Sequence, residues 1–137
     1  SKREEFKKLP PEEVSFPRSV SDVVKYKSHA SIYTKGTPIH ARGALLYNHY
    51  IKEKKLDAKY SLIQNGEKIK FCYLKKPNHI HENVISFIQD FPRELNLDKY
   101  VDYDLQFEKS FLEPLKAILD AIGWSVEKTV NLELFFG

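Results

Sequence analysis

Two different apolar periods meet in the middle of the chain, and together they limit the fold to a mixture of helix and strand. Between Thr37 and Ile51 the period is that of a helix: Ile39, Gly43, Leu46 and Tyr50 fall at i, i+4, i+7 and i+11, with Tyr47 and Ile51 beside them. Thr37-Pro38 gives this helix a start, a capping hydroxyl followed by a proline whose missing N–H is no loss at the first helical position. Arg42, His49 and Lys52 fall on the side away from the stripe. From Lys68 to Leu74 the period is two, with Ile69, Phe71 and Tyr73 alternating with Lys68, Lys70 and Cys72. Asn65-Gly66 precedes that strand, and Asn-Gly is the strongest short hairpin signal. Tyr60–Ile63 is therefore expected to pair with Lys68–Leu74.

The flanks are less regular. Prolines 10, 11 and 17 punctuate the first segment, which reads as a lead-in, and Ser19 or Ser21 is placed to cap a short helix running to Tyr26. After a short apolar stretch (Val84, Ile85, Phe87, Ile88) and a break at Phe91-Pro92, a long helix is expected, with Phe107, Phe111, Leu115, Ile118 and Ile122 on one face. Pro114 should kink it. Gly123 is placed as its C′ residue, with Trp124 packing back on Leu119. Ser125 to Asn131 is polar, and the chain closes on Leu132-Glu133-Leu134-Phe135-Phe136-Gly137. The expected architecture is α+β: helices around a small antiparallel hairpin, with an extended C-terminal tail. The divisions are a lead-in over 1–30, a domain over 31–124, and a linker with tail over 125–137.

A chain of 137 residues can build one domain with a real core, and is too short for most nucleotide-handling machines. Its 42% hydrophobic and 30% charged residues describe a soluble protein, and no apolar run approaches the roughly 20 residues of a membrane helix. The start has no secretory signal, and beginning on Ser1 it is expected to be processed or cut from a longer chain. The net charge of +3 hides a segregation. Lys25 to Lys76 holds 12 Lys and Arg against 3 Asp and Glu, whereas His81 to Gly137 holds 5 against 11. The middle suits a polyanion and the C-terminal third repels one, although a solvated lysine face would show the same count. Cys72, the single cysteine, lies in an apolar run and reads as a core thiol suited to a reducing cytoplasm.

Lys35-Gly36-Thr37-Pro38-Ile39-His40-Ala41-Arg42-Gly43 is the first segment with chemistry to offer. A helix start presents unpaired N–H groups and partial positive charge to a phosphate, His40 and Arg42 lie in its first turns, and Gly36 and Gly43 leave room for close approach. The other reading is a capped core helix in which His40 bonds a neighbour. The tail is the second, since Leu132, Phe135 and Phe136 gather on one side of a helical turn and form an apolar plug. Either a partner buries it or it folds back on its own core. Asp102-Tyr103-Asp104 lacks the hairpin setting and third carboxylate of a two-metal site, and His79 and His81 with Cys72 do not make a zinc set.

Tyr33 to Asn48, with its TKGTPIHARG run, resembles the palm-to-thumb entry of family B DNA polymerases of the T-even bacteriophage type. Asn65 to Lys75 is similar to the thumb strand that follows it in the family, Val101–Asp104 and the helix beyond to its C-terminal thumb helices, and Asn131–Gly137 to its clamp-binding peptide. The resemblance implies a thumb that grips primer–template duplex DNA, with His40 and Arg42 on the primer backbone. Lys35, Thr37, Lys70 and Lys75 are the further DNA-binding candidates. It implies a sliding clamp held by Leu132, Leu134, Phe135 and Phe136, the remaining polymerase domains or a catalytic subunit as partner, and an infected bacterial cytoplasm as location. No catalytic residue, metal ligand or cofactor is expected on this chain, and Mg²⁺ belongs to the catalytic part elsewhere. A free-standing accessory protein that binds DNA and a clamp is the alternative.

Overall fold

A computed structural model of the protein describes residues 1–21 and 36–123. Helices surround a three-stranded antiparallel sheet. The first segment is part of this core. Helix α1 (Lys2–Lys7) is capped by the Ser1 hydroxyl, which accepts the Glu4 N–H at 3.2 Å, and buries Phe6. The single turn α2 (Pro11–Val14) uses Pro11 as its first residue and buries Val14. Strand β1 (Phe16–Ser19) then pairs with β2 (Lys68–Tyr73), Phe16 opposite Phe71 and Ser19 opposite Lys68. Pro17 is tolerated because β1 is an edge strand. Ser19 therefore ends a strand and does not cap a helix; residues 22–26, where a helix capped by Ser21 would run, lie outside the described residues.

The partner expected for β2 is also different. Tyr60–Ile63 forms no strand. The side-chain amide of Asn48 accepts the Ile63 N–H at 2.8 Å and donates to its carbonyl at 3.0 Å, and the Tyr47 hydroxyl donates to the Ser61 carbonyl at 2.8 Å. Both polar groups of Ile63 are thus satisfied by a helix. The turn at Asn65-Gly66 forms, with Gly66 at φ +82° and the Glu67 N–H donating to the Gln64 carbonyl at 3.2 Å. It closes against the end of β1 instead, through Val20 N–H to Glu67 O (3.1 Å) and Gly66 N–H to Val20 O (2.7 Å).

Strand β3 (Val84–Phe87) pairs with β2, Lys70 opposite Phe87 and Tyr73 opposite Val84, and is buried throughout. Helix α3 (Ile39–Glu53) lies across it. A Cβ on Gly43 would strike Ser86 Oγ and stand 2.9 Å from the Ser86 nitrogen. The close approach that Gly43 permits therefore serves β3, and not a ligand. The helix begins one residue later than expected, with Pro38 as its N-cap. It ends in a left-handed Lys55 (φ +56°), with Leu56 N–H bonded to Ile51 O at 2.8 Å and Lys55 N–H to Lys52 O at 3.1 Å. This is a Schellman ending made without glycine.

The C-terminal helix is three pieces: α4 (Tyr103–Phe107), a π-helical turn (Glu108–Leu112) and α5 (Glu113–Ala121). Pro114 has no N–H and its ring would meet the carbonyl four residues back in an α-helix; the turn before it is widened. Its expected core stripe is buried only at Phe107, 1% exposed, while Phe111, Ile118 and Ile122 are 44%, 60% and 62% exposed. Gly123 (φ +82°) follows as the C′ residue expected of it. Trp124 and the tail, including Leu132, Leu134, Phe135 and Phe136, lie outside the described residues. Two polar staples join distant segments. The fully buried Gln106 accepts the Tyr73 N–H (2.9 Å) and donates to the Val14 carbonyl (2.7 Å). Glu12 accepts the Phe91 N–H (3.1 Å) and both terminal nitrogens of Arg93 (2.9 and 3.0 Å). Among the described residues no helix is long and apolar enough to cross a membrane.

Candidate nucleic-acid interface

The start of α3 lies over the sheet where β1 ends. His40 reaches Phe71, their rings 6.3 Å apart, and the His40 carbonyl accepts the Ser86 hydroxyl at 2.9 Å. Burial, and then the nearby Arg18 guanidinium, lower the His40 pKa below the ordinary value. At neutral pH the ring is therefore a neutral donor and acceptor, so it offers a phosphate a hydrogen bond and not a charge. The charge at this corner comes from Arg18, a residue that sequence reasoning passed over. It is exposed at the edge strand, with its guanidinium 5.5 Å over the Phe71 ring and one N–H donated to the Pro17 carbonyl at 2.7 Å.

Around Phe71 stands a small aromatic cluster. Phe16 and Tyr73 lie 5.4 and 5.8 Å from it, both half-buried, and Lys109 places its ammonium 5.3 Å from the Tyr73 ring. A ring face orients a cation without neutralising it, as at Arg18 over Phe71. Lys109 also pairs with Glu113 at 3.7 Å. Phe16 and Arg18 were hidden by the prolines around them, and Lys109 by its place in the acidic third of the chain.

Arg42 is not on a solvent face. It is half-buried, donates from Nη2 to the Asn83 side-chain oxygen at 2.6 Å, and its Nε is buried with no acceptor. Thr37 is half-buried just before the helix, and Lys35 lies outside the described residues. Lys70 is separated from this group, because alternation turns it to the other face of β2, where its ammonium donates to the Glu12 carbonyl at 3.1 Å. Lys75 is exposed just beyond β2, one residue after Leu74, whose N–H donates to Asn83 O at 2.9 Å. The structure thus gathers Arg18, His40 and the aromatic cluster at one place, links Arg42 through Asn83 to the strand end beside Lys75, and sets Lys70 apart.

The residues with metal-like spacing have structural partners. Asp102 caps α4, accepting the Leu105 N–H at 3.0 Å, and Asp104 pairs with Lys7 (3.2 Å) and Arg3 (3.7 Å). His79 Nε2 lies 2.9 Å from the Leu95 carbonyl. Cys72 is fully buried, and burial pushes its thiol pKa up to about 12, as suits a core residue. Among the described residues no group of three or more His, Cys, Asp or Glu is placed to hold a metal ion.

No protein-family model matches the chain. In an alignment of 137 positions that covers 97% of the chain, it is 24% identical to the DNA-directed DNA polymerase of Enterobacteria phage T4. The match spans only 15% of that protein's length. Nearly all of this chain is therefore similar to one short segment of a phage DNA polymerase, to which it is distantly related.

Proposed function

We propose that the chain is the thumb part of a family B DNA-directed DNA polymerase. It grips primer–template duplex through the phosphates, and its tail, Leu132, Leu134, Phe135 and Phe136, tethers it to a sliding clamp. The observation that carries this reading is the similarity to T4 DNA polymerase along almost the whole chain. The segregation of charge supports it, since the middle of the chain is the half a polyanion would approach. So does the corner at the start of α3, where Arg18 supplies charge, His40 a neutral hydrogen bond and the helix its free N–H groups.

Such contacts hold the duplex without reading it. The work is processive replication of viral DNA in an infected bacterium. Phosphodiester formation needs two metal ions and the carboxylates that hold them, which this reading assigns to the rest of the polymerase. The chain alone, with Mg²⁺, should extend no primer.

Duplex binding tests the reading. Short duplexes of unrelated sequence should bind with equal affinity, and affinity should fall steeply with salt, the logarithmic slope counting the phosphates engaged. Arg18→Ala should flatten that slope by about one unit for every sequence alike. A loss confined to one base sequence would indicate base readout and overturn the thumb assignment. For the tail, Phe135→Ala with Phe136→Ala should abolish clamp capture and leave duplex binding intact. Retained capture would remove the clamp from the proposal.

A further inference from the structure

Arg42 differs from the cations held by carboxylates in having a neutral side chain as its partner, while Arg18 and Lys70 donate only to backbone carbonyls. Arg93 is held by Glu12, Lys59 by Glu94, Arg3 and Lys7 by Asp104, and Lys109 by Glu113. Arg42 has the amide of Asn83, and among the described residues no carboxylate forms an ion pair with it. A guanidinium drawn partly out of water loses hydration, and an amide oxygen returns a hydrogen bond but no opposite charge. Its Nε–H, buried without an acceptor, adds to that deficit. Nothing local forces this arrangement, because an aspartate has nearly the shape of an asparagine.

The pair is also rigid. Asn83 stands at the entry to β3, where its carbonyl receives the Leu74 N–H at 2.9 Å, and α3 is seated on β3 by Gly43 against Ser86. Arginine has only donors, so Asn83 must present its oxygen to Arg42. The guanidinium is therefore held in one orientation between a helix and a strand with its charge uncompensated.

We infer that Asn83 is a positioning residue that fixes Arg42 as an oriented receptor for a phosphate group, and that its neutrality keeps that receptor open. A carboxylate at residue 83 would occupy the receptor permanently. This inference rests on the nucleic-acid reading above and adds to it a residue that acts only through Arg42.

Asn83→Asp makes the test, with Asn96→Asp, on an exposed turn, as a control for the added charge. Asn83→Asp should lower affinity for short duplex DNA about 5- to 10-fold and flatten the salt slope by about 0.9. Its melting temperature should equal or exceed that of the wild type. Asn83→Ala, which unties the guanidinium but leaves its charge, should weaken binding less and leave the slope unchanged. Wild-type binding by Asn83→Asp, or an equal loss in Asn96→Asp, would overturn the inference while leaving the thumb reading in place. Should the wild-type chain fail to bind duplex at all, the thumb reading falls by itself. Inorganic phosphate then decides the receptor, followed at the Arg42 Nε–H resonance. A saturable shift that Asn83→Asp abolishes upholds it, and no shift in the wild type refutes it.

Discussion

Helices α3 and α5 carry apolar stripes of the same period, but only one of them is covered. Helix α3 buries Ala41, Gly43, Ala44, Leu46, Tyr47 and Ile51, most of them against β3. Helix α5 buries Leu119 alone and leaves Ile118 and Ile122 largely in water. Near its root, Phe111 and Leu9 border an open apolar cleft of about 300 Å³ between α1 and α4. A helical period states which face is apolar, but the covering surface is decided by shape. On α3 a glycine and two alanines let a strand come within backbone contact, whereas the stripe of α5 is made of large side chains and offers no such approach. The difference extends to charge: α3 belongs to the basic middle of the chain and α5 to its acidic third.

If the approach at Gly43 is what seats α3, adding volume there should have the largest effect. Gly43→Val should destabilise the fold by about 3 kcal/mol or more, because the nearest atoms include β3 backbone that cannot move aside cheaply. Chemical denaturation measures it, and Ser86→Gly should recover part of the loss in Gly43→Ala. Leu46→Ala, which leaves a cavity under the same helix, should cost about 2–5 kcal/mol. A small cost at both positions would erase the contrast between the helices.

The Glu12–Arg93 staple should have an intermediate effect. Arg93 is half exposed, so screening limits its worth, and Glu12→Gln should cost about 1 kcal/mol. Its pH dependence is more distinctive. The Arg93 guanidinium, first among the causes, lowers the Glu12 pKa from 4.5 to about 2. A carboxylate with a depressed folded pKa contributes stability that is present above the unfolded value and is lost as pH falls through the folded one. Thermal melts between pH 4.5 and about 2 should therefore decline less steeply in Glu12→Gln than in the wild type. Parallel declines would show that Arg93 does not set this titration.

The smallest effect belongs to α5. Ile118→Ser with Ile122→Ser should change stability by no more than about 0.5 kcal/mol, since neither side chain loses much burial. A cost near that of Leu46→Ala would mean that the stripe is covered in solution, and the comparison would fail from the other side.

What the sequence made legible follows the same division. The α+β class, helix α3, strand β2, the Asn-Gly turn and the glycine after α5 were readable because each has a local cause in periodicity or backbone preference. The pairing of β2 was not. Asn48 satisfies both polar groups of Ile63 from α3, and no local pattern announces that, so the turn sends the chain against β1 and not back into a hairpin. At the candidate interface, His40 and Arg42 were visible from their place on a helix start. Their states were not, because the neutrality of His40 comes from burial and Arg18, and the orientation of Arg42 from Asn83. Arg18 and Phe16 stand among prolines, and only the edge position of β1 explains why a strand forms there.

The π turn before Pro114 has a geometric consequence for everything that follows it. Its Glu113 N–H bonds to Glu108 O, five residues back, so the helix takes one residue more than a regular turn would use. Each residue of an α-helix advances the azimuth by about 100°. That additional residue acts as a phase setting: it fixes the direction in which Ile118 and Ile122 point relative to Phe107, which is anchored in the core. Removing a single residue such as Ser110 would reset the phase by roughly a quarter turn or more and aim the apolar face elsewhere, with the composition of that face untouched. The direction of the exposed stripe is thus encoded by residue count in the turn, and the stripe's own side chains have no say in it.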